Sequence, residues 1–138
     1  MADLEYQLTI ITPERVMYRH PVERIIFQST EGELAVLKGH IPLTAIIASS
    51  VFHITLAGEG DARELTMAVH EGFVEIQPDA VTILTESAEW PEEIDVARAE
   101  EARDRARNRL KEPYEGLDIK RAEYALKRSL IRLEAARR

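Results

Sequence analysis

The first ninety residues contain short runs in which apolar and polar side chains alternate, the pattern of a β-strand with one buried face. In the first run, Tyr6, Leu8 and Ile10 share one face. Four later runs alternate in the same way, at 51–56, 64–69, 72–76 and 80–85. Turn residues such as Pro78 and Asp79 separate the runs. The pattern predicts an all-β sandwich or flattened barrel over residues 1–90.

The stretches between these runs that are long enough for a helix contain Gly32, Gly39 and Pro42. Glycine and proline disfavour helix interiors, so parallel strands connected by helices are not expected in this half of the chain.

The dipeptide Trp90-Pro91 marks a change of period. Proline suits the first turn of a helix, and the acidic residues Glu92, Glu93 and Asp95 that follow suit a helix N-terminus. Helical spacing then continues almost to the end of the chain. We therefore expect a helical domain over 91–138 after the β-domain of 1–90.

Two apolar stripes recur at helical spacing in this second half. The first consists of Ala99, Ala102, Ala106 and Leu110, and the second of Ile119, Ala122, Leu126, Leu133 and Ala136, with Ser129 as a polar member. Pro113 and Gly116 separate the stripes. The fold class predicted is thus α+β, with a β-sandwich followed by an antiparallel two-helix hairpin. Alanine stripes bury little area, so the hairpin should be marginal alone and easily detached.

Charge is segregated along the chain. Residues 1–91 carry 14 acids and 5 bases, a net of −9, whereas residues 117–138 carry 3 acids and 7 bases, a net of +4. A basic segment on an acidic body can bind an anion, a nucleic acid, an acidic protein surface or its own body. Composition alone does not choose among them.

Motifs of catalysis are absent from the sequence. It has no phosphate-binding glycine loop, no cysteine, and no metal-ligand spacing among its four histidines. It also has no apolar run long enough to span a membrane, and its first residues do not resemble a secretory signal. We therefore expect a protein that is not an enzyme and that uses no catalytic cofactor or metal.

The arginines of the helical half are the candidate binding residues. Arg98 and Arg105 lie seven residues apart and so share a face of the first helix, as do Arg121, Arg128 and Arg132 on the second. In a closed hairpin both sets could converge on a phosphate group, which the guanidinium fork suits. They could equally pair on the surface with acids such as Glu101, Asp104 and Glu123. Spacing alone favours surface pairing.

Several segments taken together resemble a known family. These are "TPERVMY", "GELAVLKGHIPL", "GFVEI" followed by "VTIL", and "EIDVARA", in this order. They are similar to segments of the ε subunits of bacterial F-type ATP synthases, and the resemblance runs from about residue 4 to residue 133. Ala35 and Lys38 depart from the glycine and proline that the family often has there.

The resemblance implies a non-catalytic rotor subunit on the cytoplasmic face of the bacterial cell membrane, bound as a peripheral protein. Its sandwich would pack on the γ subunit and the c-ring. Its hairpin would either fold onto the sandwich or extend into the α/β hexamer, where it opposes ATP hydrolysis. Nucleic acid is not an expected partner.

The resemblance also implies a regulatory ATP site, with or without magnesium, because "IDVARA" resembles the I/L-D-x-x-R-A motif of ATP-binding members. In those members an acid and the Ile-Asp pair surround the adenine, and arginines of both helices hold the phosphates. The residues at matching positions are Glu89, Ile94, Asp95, Arg98, Ala99, Arg105, Arg128 and Arg132.

Three other functions would fit parts of the sequence. A free-standing β-sandwich binding module with a helical interaction arm would self-associate and would have no affinity for the γ subunit. A nucleic-acid binder would use the basic second helix, although the acidic body and the lack of interleaved aromatics oppose it. A small ATPase would need the phosphate loop that the sequence lacks.

Overall fold

The structure is a computed structural model that describes residues 4–58 and 63–137. It contains seven strands, one 3₁₀ turn and two α-helices. Their bounds are β1 Tyr6–Ile11, β2 Val16–Ser29, β3 Gly32–Leu37, β4 Leu43–Ile47, β5 Ser50–Leu56, β6 Glu64–Gln77, β7 Ala80–Glu89, the 3₁₀ turn Pro91–Glu93, α1 Val96–Lys111 and α2 Ile119–Ala136. The predicted α+β class, a sandwich followed by two helices, is confirmed.

The strands close into a flattened barrel. β1 pairs with β2 and β7, β7 pairs with β6, and β5 joins β6 back to β2. β3 and β4 extend this circuit at the far ends of β2 and β6. The β1–β7 pair is parallel and the others are antiparallel. Closure satisfies the backbone of strands that would otherwise be exposed edges.

The barrel interior is apolar and tightly filled. Phe27 and Phe52 stack with their ring centroids 4.8 Å apart, and both are almost completely buried. The buried hydroxyl of Tyr6 donates to the carbonyl of Val36 at 2.7 Å, which ties β1 to β3. Burial raises the pKa of this phenol well above its ordinary value. All seven strands contribute side chains to this one core.

Two long strands differ from the pattern expected from sequence. β2, with Pro21 near its centre, was not predicted, and the separate runs at 64–69 and 72–76 form one strand, β6. Glu71 and Gly72 have positive φ in the middle of β6, where the strand changes partner from β5 to β4. The turn expected at 57–60 lies partly outside the described residues.

The first helix begins later than the position of Pro91 suggested. Pro91 starts the 3₁₀ turn, and the α-helix begins at Val96 with Asp95 as its N-cap. The Asp95 carboxylate accepts from the amide of Arg98 at 3.1 Å, and Asp118 caps α2 in the same way through Arg121. Glu92 and Glu93 therefore precede the helix instead of lying in its first turn.

The helices form the expected antiparallel hairpin. Ala99 and Ala106 of α1 and Ala122 and Leu133 of α2 are buried, and Ser129 is buried with its hydroxyl donating to the Leu126 carbonyl. Ile119 is half exposed, which contradicts its predicted place in the seam.

Helix α2 connects the hairpin to the barrel. It packs on β5, β6 and the 3₁₀ turn, while α1 packs mainly on α2. The contact is a small apolar cluster of Val51, Ala68, Ile94 and Ala135, with Ile131 and Ala136 at its margin. This docking seam is separate from the cluster that forms the barrel core.

Candidate arginine-lined cavity

A cavity of about 360 Å³ lies where the end of β7, the 3₁₀ turn, α1 and α2 meet. The residues that line it are Glu89, Glu93, Asp95, Arg98, Ala99, Ala102, Arg105 and Arg132. Its size is within the range of small-molecule sites, and its wall contains three carboxylates and three guanidinium groups. Which of these charges are already paired decides what the cavity can bind.

The three carboxylates all have partners within the protein. Asp95 caps α1. Glu93 accepts from the Arg15 guanidinium at 2.6 Å and from the amide of Trp90 at 2.9 Å, and these bonds lower its pKa. Glu89 accepts from Arg132 Nε at 2.6 Å and lies 3.2 Å from His70 Nε2.

Two of the three arginines do not have such partners. Within residues 4–58 and 63–137, the guanidinium groups of Arg98 and Arg105 form no ion pair with any carboxylate. Arg103 instead pairs with Asp104, at 3.0 Å. The surface pairing of Arg98 and Arg105 that their spacing favoured is therefore not seen, and both residues line the cavity without an ion-pair partner in the described part of the chain.

Glu89 is the centre of the network that joins barrel and hairpin. It ends β7, contacts His70 of β6 and binds Arg132 of α2. The hydrogen bond with His70 and the Arg132 guanidinium lower the pKa of Glu89 to about 2, against the opposing effect of burial. Glu89 is consequently ionised across the physiological range.

His70 is a residue that sequence reasoning did not select. Its side chain is 1% exposed, and burial lowers its pKa, with the Arg132 and Arg128 charges acting in the same direction. In the structure, His70 lies on the same face of β6 as Ala68, the face that α2 covers. Nothing in the strand pattern shows that α2 covers this face, so no sequence signal identified the contact.

Two of the predicted site residues lie outside the cavity wall. Ile94 is buried in the docking seam directly before Asp95. Arg128 is half-buried on α2, one turn before Arg132, and its Nε is buried without a hydrogen-bond partner among the described residues. The other six, Glu89, Asp95, Arg98, Ala99, Arg105 and Arg132, come together at the cavity as a group. Arg121 is exposed and takes no part.

A larger cavity, of about 720 Å³, lies between α2 and the strand ends near Ser49. Its charged residues are Lys120 and Lys127 together with Glu71, Glu86 and Glu123. Because acids outnumber bases there, this cavity does not favour an anion.

No helix within the described ranges is both long and apolar enough to cross a lipid bilayer.

Two family models match the chain along its length. The model "ATP synthase, Delta/Epsilon chain, beta-sandwich domain" matches residues 5–91, and "ATP synthase, Delta/Epsilon chain, long alpha-helix domain" matches residues 92–137. Together they cover the barrel and the hairpin.

Curated relatives match at full length. The ATP synthase epsilon chain of Caldanaerobacter subterraneus subsp. tengcongensis is 42% identical over 134 residues, covering 97% of this chain and 95% of that protein. The ATP synthase epsilon chain of Natranaerobius thermophilus is 39% identical over 137 residues, covering 99% and 96%.

A solved structure has the same fold. A chain in the OSCP/F1/c-ring structure of the Euglena gracilis mitochondrial ATP synthase superposes with a TM-score of 0.82 at 26% identity. The match covers 97% of this chain and 82% of that chain.

Proposed function

The chain belongs to the delta/epsilon chain family of ATP synthases, and from this membership we propose a rotor subunit whose hairpin is controlled by ATP. The chain is a non-catalytic subunit of the ATP synthase complex. In this proposal the barrel couples rotation of the c-ring to the γ subunit. The hairpin folds onto the barrel when ATP is bound and otherwise extends toward the α/β hexamer, where it opposes hydrolysis. The subunit is then a peripheral membrane protein on the cytoplasmic face, held there by its partners.

Exposed apolar side chains on the barrel support docking to other subunits. Ile46, Phe73 and Leu84 are cross-strand neighbours on β4, β6 and β7, and each is more than a third exposed. Leu37 and Ile41 are exposed near the β3–β4 connection. A row of exposed apolar residues across three strands is typical of a protein interface. We propose that the row and the β3–β4 connection, within residues 31–43, form the contacts with the γ subunit and the c-ring.

The ATP proposal rests on one observation: Arg98 and Arg105 line the cavity without an ion-pair partner in the described part of the chain, while its carboxylates are occupied. Arginine binds phosphate through two parallel hydrogen bonds. Arg132 uses Nε for Glu89, so its terminal nitrogens remain available for the same anion. A triphosphate would bridge the two helices.

The remaining predicted residues have supporting roles in this proposal. Glu89, Asp95 and Ala99 lie along the cavity wall that would face the adenine, and Ile94 supports that wall from the docking seam. Arg128, one turn from Arg132, carries a buried Nε that has no partner among the residues the structure describes, and we propose that it adds positive charge to the phosphate end. ATP at this site is a ligand and not a substrate.

Binding of this kind can control the hairpin through mass action. A ligand that binds only the folded-down state stabilises it by about 2.7 kcal/mol at a hundredfold excess over Kd. The docking seam contains two alanines among its four buried residues, so its own contribution is small. A binding free energy of that size is sufficient to shift the equilibrium between the docked and extended hairpin.

Replacing Arg98 or Arg105 by alanine should weaken ATP binding by about 10- to 100-fold, since each change removes charged hydrogen bonds worth about 1.5–3 kcal/mol. Calorimetric titration of the full chain, with and without magnesium, measures the effect. The matched control is Arg103→Ala, which removes an arginine of the same helix that is paired with Asp104. Equal losses in all three variants, or no binding by the unaltered chain, would contradict the proposed site.

Placing a carboxylate in the docking seam should release the hairpin. Ala135 is completely buried there, so Ala135→Glu would bury a charge without a partner. In an ATP synthase assembled with this variant, ATP hydrolysis should be inhibited more strongly, and ATP should relieve the inhibition less. The control is Ala125→Glu, at an exposed position of the same helix. Unchanged hydrolysis with Ala135→Glu, despite a released hairpin, would argue against an inhibitory extended state.

A further inference from the structure

We propose that His70 is a proton-sensing positioning residue of the arginine-lined cavity, and that proton uptake by its imidazole opposes docking of the hairpin. The proposal rests on the function proposed above and adds a second input, pH, to the same switch. It stands on the position of one buried imidazole at the boundary between the barrel and α2.

His70 contacts the Glu89 carboxylate, which both binds the hairpin and lines the cavity. Its Nε2 lies 3.2 Å from Glu89 Oε1, and the same oxygen accepts from Arg132 Nε at 2.6 Å. Glu89 also lines the cavity. His70 therefore acts through Glu89, which it orients toward both the hairpin and the proposed ligand.

The docked structure accommodates only a neutral imidazole. With Nε2–H donating to Glu89, Nδ1 is buried and has no hydrogen-bond partner among the described residues. In the neutral ring Nδ1 is an acceptor, whereas in the protonated ring it becomes a second donor. A buried donor without an acceptor is unfavourable, and here it would also add a charge.

Burial and the two nearby arginines oppose proton uptake by His70, whereas Glu89 favours it. Helix α2 contributes Arg128 and Arg132, and β7 contributes Glu89. Glu71 follows on β6 itself, and Glu93 of the 3₁₀ turn is engaged by Arg15 and the Trp90 amide. Together with burial, the two guanidinium groups outweigh the single adjacent carboxylate, so the pKa of His70 is lowered.

Release of α2 reverses each of these conditions. The two arginines leave with the helix, water reaches the imidazole, and Glu89 remains beside it on the barrel. The pKa of His70 then returns to at least its ordinary value of about 6.5. Because the released state binds the proton more tightly, docking is fully favoured above that pKa and weakens as pH falls below it.

The size of the effect follows from one proton. Between the pKa values of the released and docked states, the docking equilibrium should change up to about tenfold per pH unit. ATP affinity should fall with it, because only the docked hairpin completes the cavity. Acidification and loss of ATP would thus drive the same conformational change.

The decisive variant is His70→Gln, whose side-chain amide can still donate to Glu89 but does not titrate. The chain has no cysteine, so labels can be placed at Thr44→Cys on β4 and Arg107→Cys on α1, both exposed positions. Distance distributions between these labels, recorded without nucleotide from pH 8 to pH 5.5, report docking directly. ATP affinity measured over the same range is the second readout.

We expect the unaltered chain to undock progressively below about pH 6.5 and His70→Gln to remain docked and insensitive to pH. The control His20→Gln, at an exposed histidine of β2, should behave as the unaltered chain. Protonation of ATP itself affects all variants equally and cancels in the comparison. An undocking that persists in His70→Gln would overturn the proposal, as would an unaltered chain that responds to pH in neither readout.

The two proposals fail differently. If no variant binds ATP even at pH 8, the nucleotide site is wrong, yet the label distances still decide the role of His70. If ATP binds at pH 8 and its affinity has the same pH dependence in His70→Gln, the nucleotide site stands and the proton sensor does not.

Discussion

Replacing Gly72 by alanine should destabilise the barrel by about 3–5 kcal/mol, more than alanine at any other glycine that the structure describes. Gly72 has φ of 144°, a conformation that side chains rarely adopt. A Cβ there would also overlap the backbone of β7, at the carbonyl oxygen of Leu84 and the Cα of Thr85. Neither backbone group can move without separating β6 from β7.

Gly32→Ala is the matched control for this steric effect. Gly32 also has positive φ, at 128°, but its added Cβ would have no neighbour within 4 Å. It should therefore show only the conformational cost, about 1–2 kcal/mol. Urea unfolding followed by far-UV circular dichroism and by the fluorescence of Trp90, the one tryptophan, measures both variants. Equal losses for the two would show that crowding against β7 contributes nothing.

Replacing Glu89 by glutamine should release the hairpin while leaving the barrel folded. The change removes the negative charge that pairs with Arg132 and contacts His70, at a side chain only a quarter exposed. Disrupting a largely buried charge pair costs about 2–3 kcal/mol, which corresponds to a roughly 30- to 150-fold shift in the docking equilibrium. The same label pair on β4 and α1 measures the shift, and ATP affinity should fall with it.

Glu75→Gln, which neutralises an exposed carboxylate on β6, is the control, and its hairpin should remain docked.

The low pKa of Glu89 also predicts that hairpin docking weakens in acid. Because its pKa in the folded chain is about 2, below its ordinary 4.5, its contribution is complete above about pH 4.5 and is lost as pH falls toward 2. Glu89→Gln should lack this part of the acid dependence. An unchanged acid transition and a docked hairpin in Glu89→Gln would show that the network does not hold α2.

The family membership inferred from four short motifs is confirmed, because they lie in order along a chain that the family models and full-length relatives match. The motifs do not establish regulation by ATP, which remains a proposal. Spacing placed Arg98 and Arg105 on one face of α1, but the choice between phosphate binding and surface pairing depended on where the acids point. Only the structure shows that Glu89, Glu93 and Asp95 are occupied by other partners.

Sequence periodicity by itself determined the two halves of the chain, because a repeat of two residues and a repeat of nearly four reflect local backbone geometry. It failed where a strand changes partner. No strand was predicted around Pro21, yet β2 runs through it. Pro21 lies where the pairing of β2 with β1 gives way to β5, so its missing amide interrupts little of the ladder. The Glu71–Gly72 bend, similarly, looked like a break between two strands.

Tertiary structure alone decided the surfaces between the halves. Val51 and Ala68 alternate with barrel-core residues of β5 and β6 and so lie on the outer face of the sheet. Helix α2 then covers this face, which buries two apolar residues in the docking seam and brings Arg132 onto the Glu89 that contacts His70. Periodicity reports which face of an element is apolar, but the element that covers a face comes from elsewhere in the chain. The network at the boundary therefore depends on docking, and its residues carry the switch proposed for this protein.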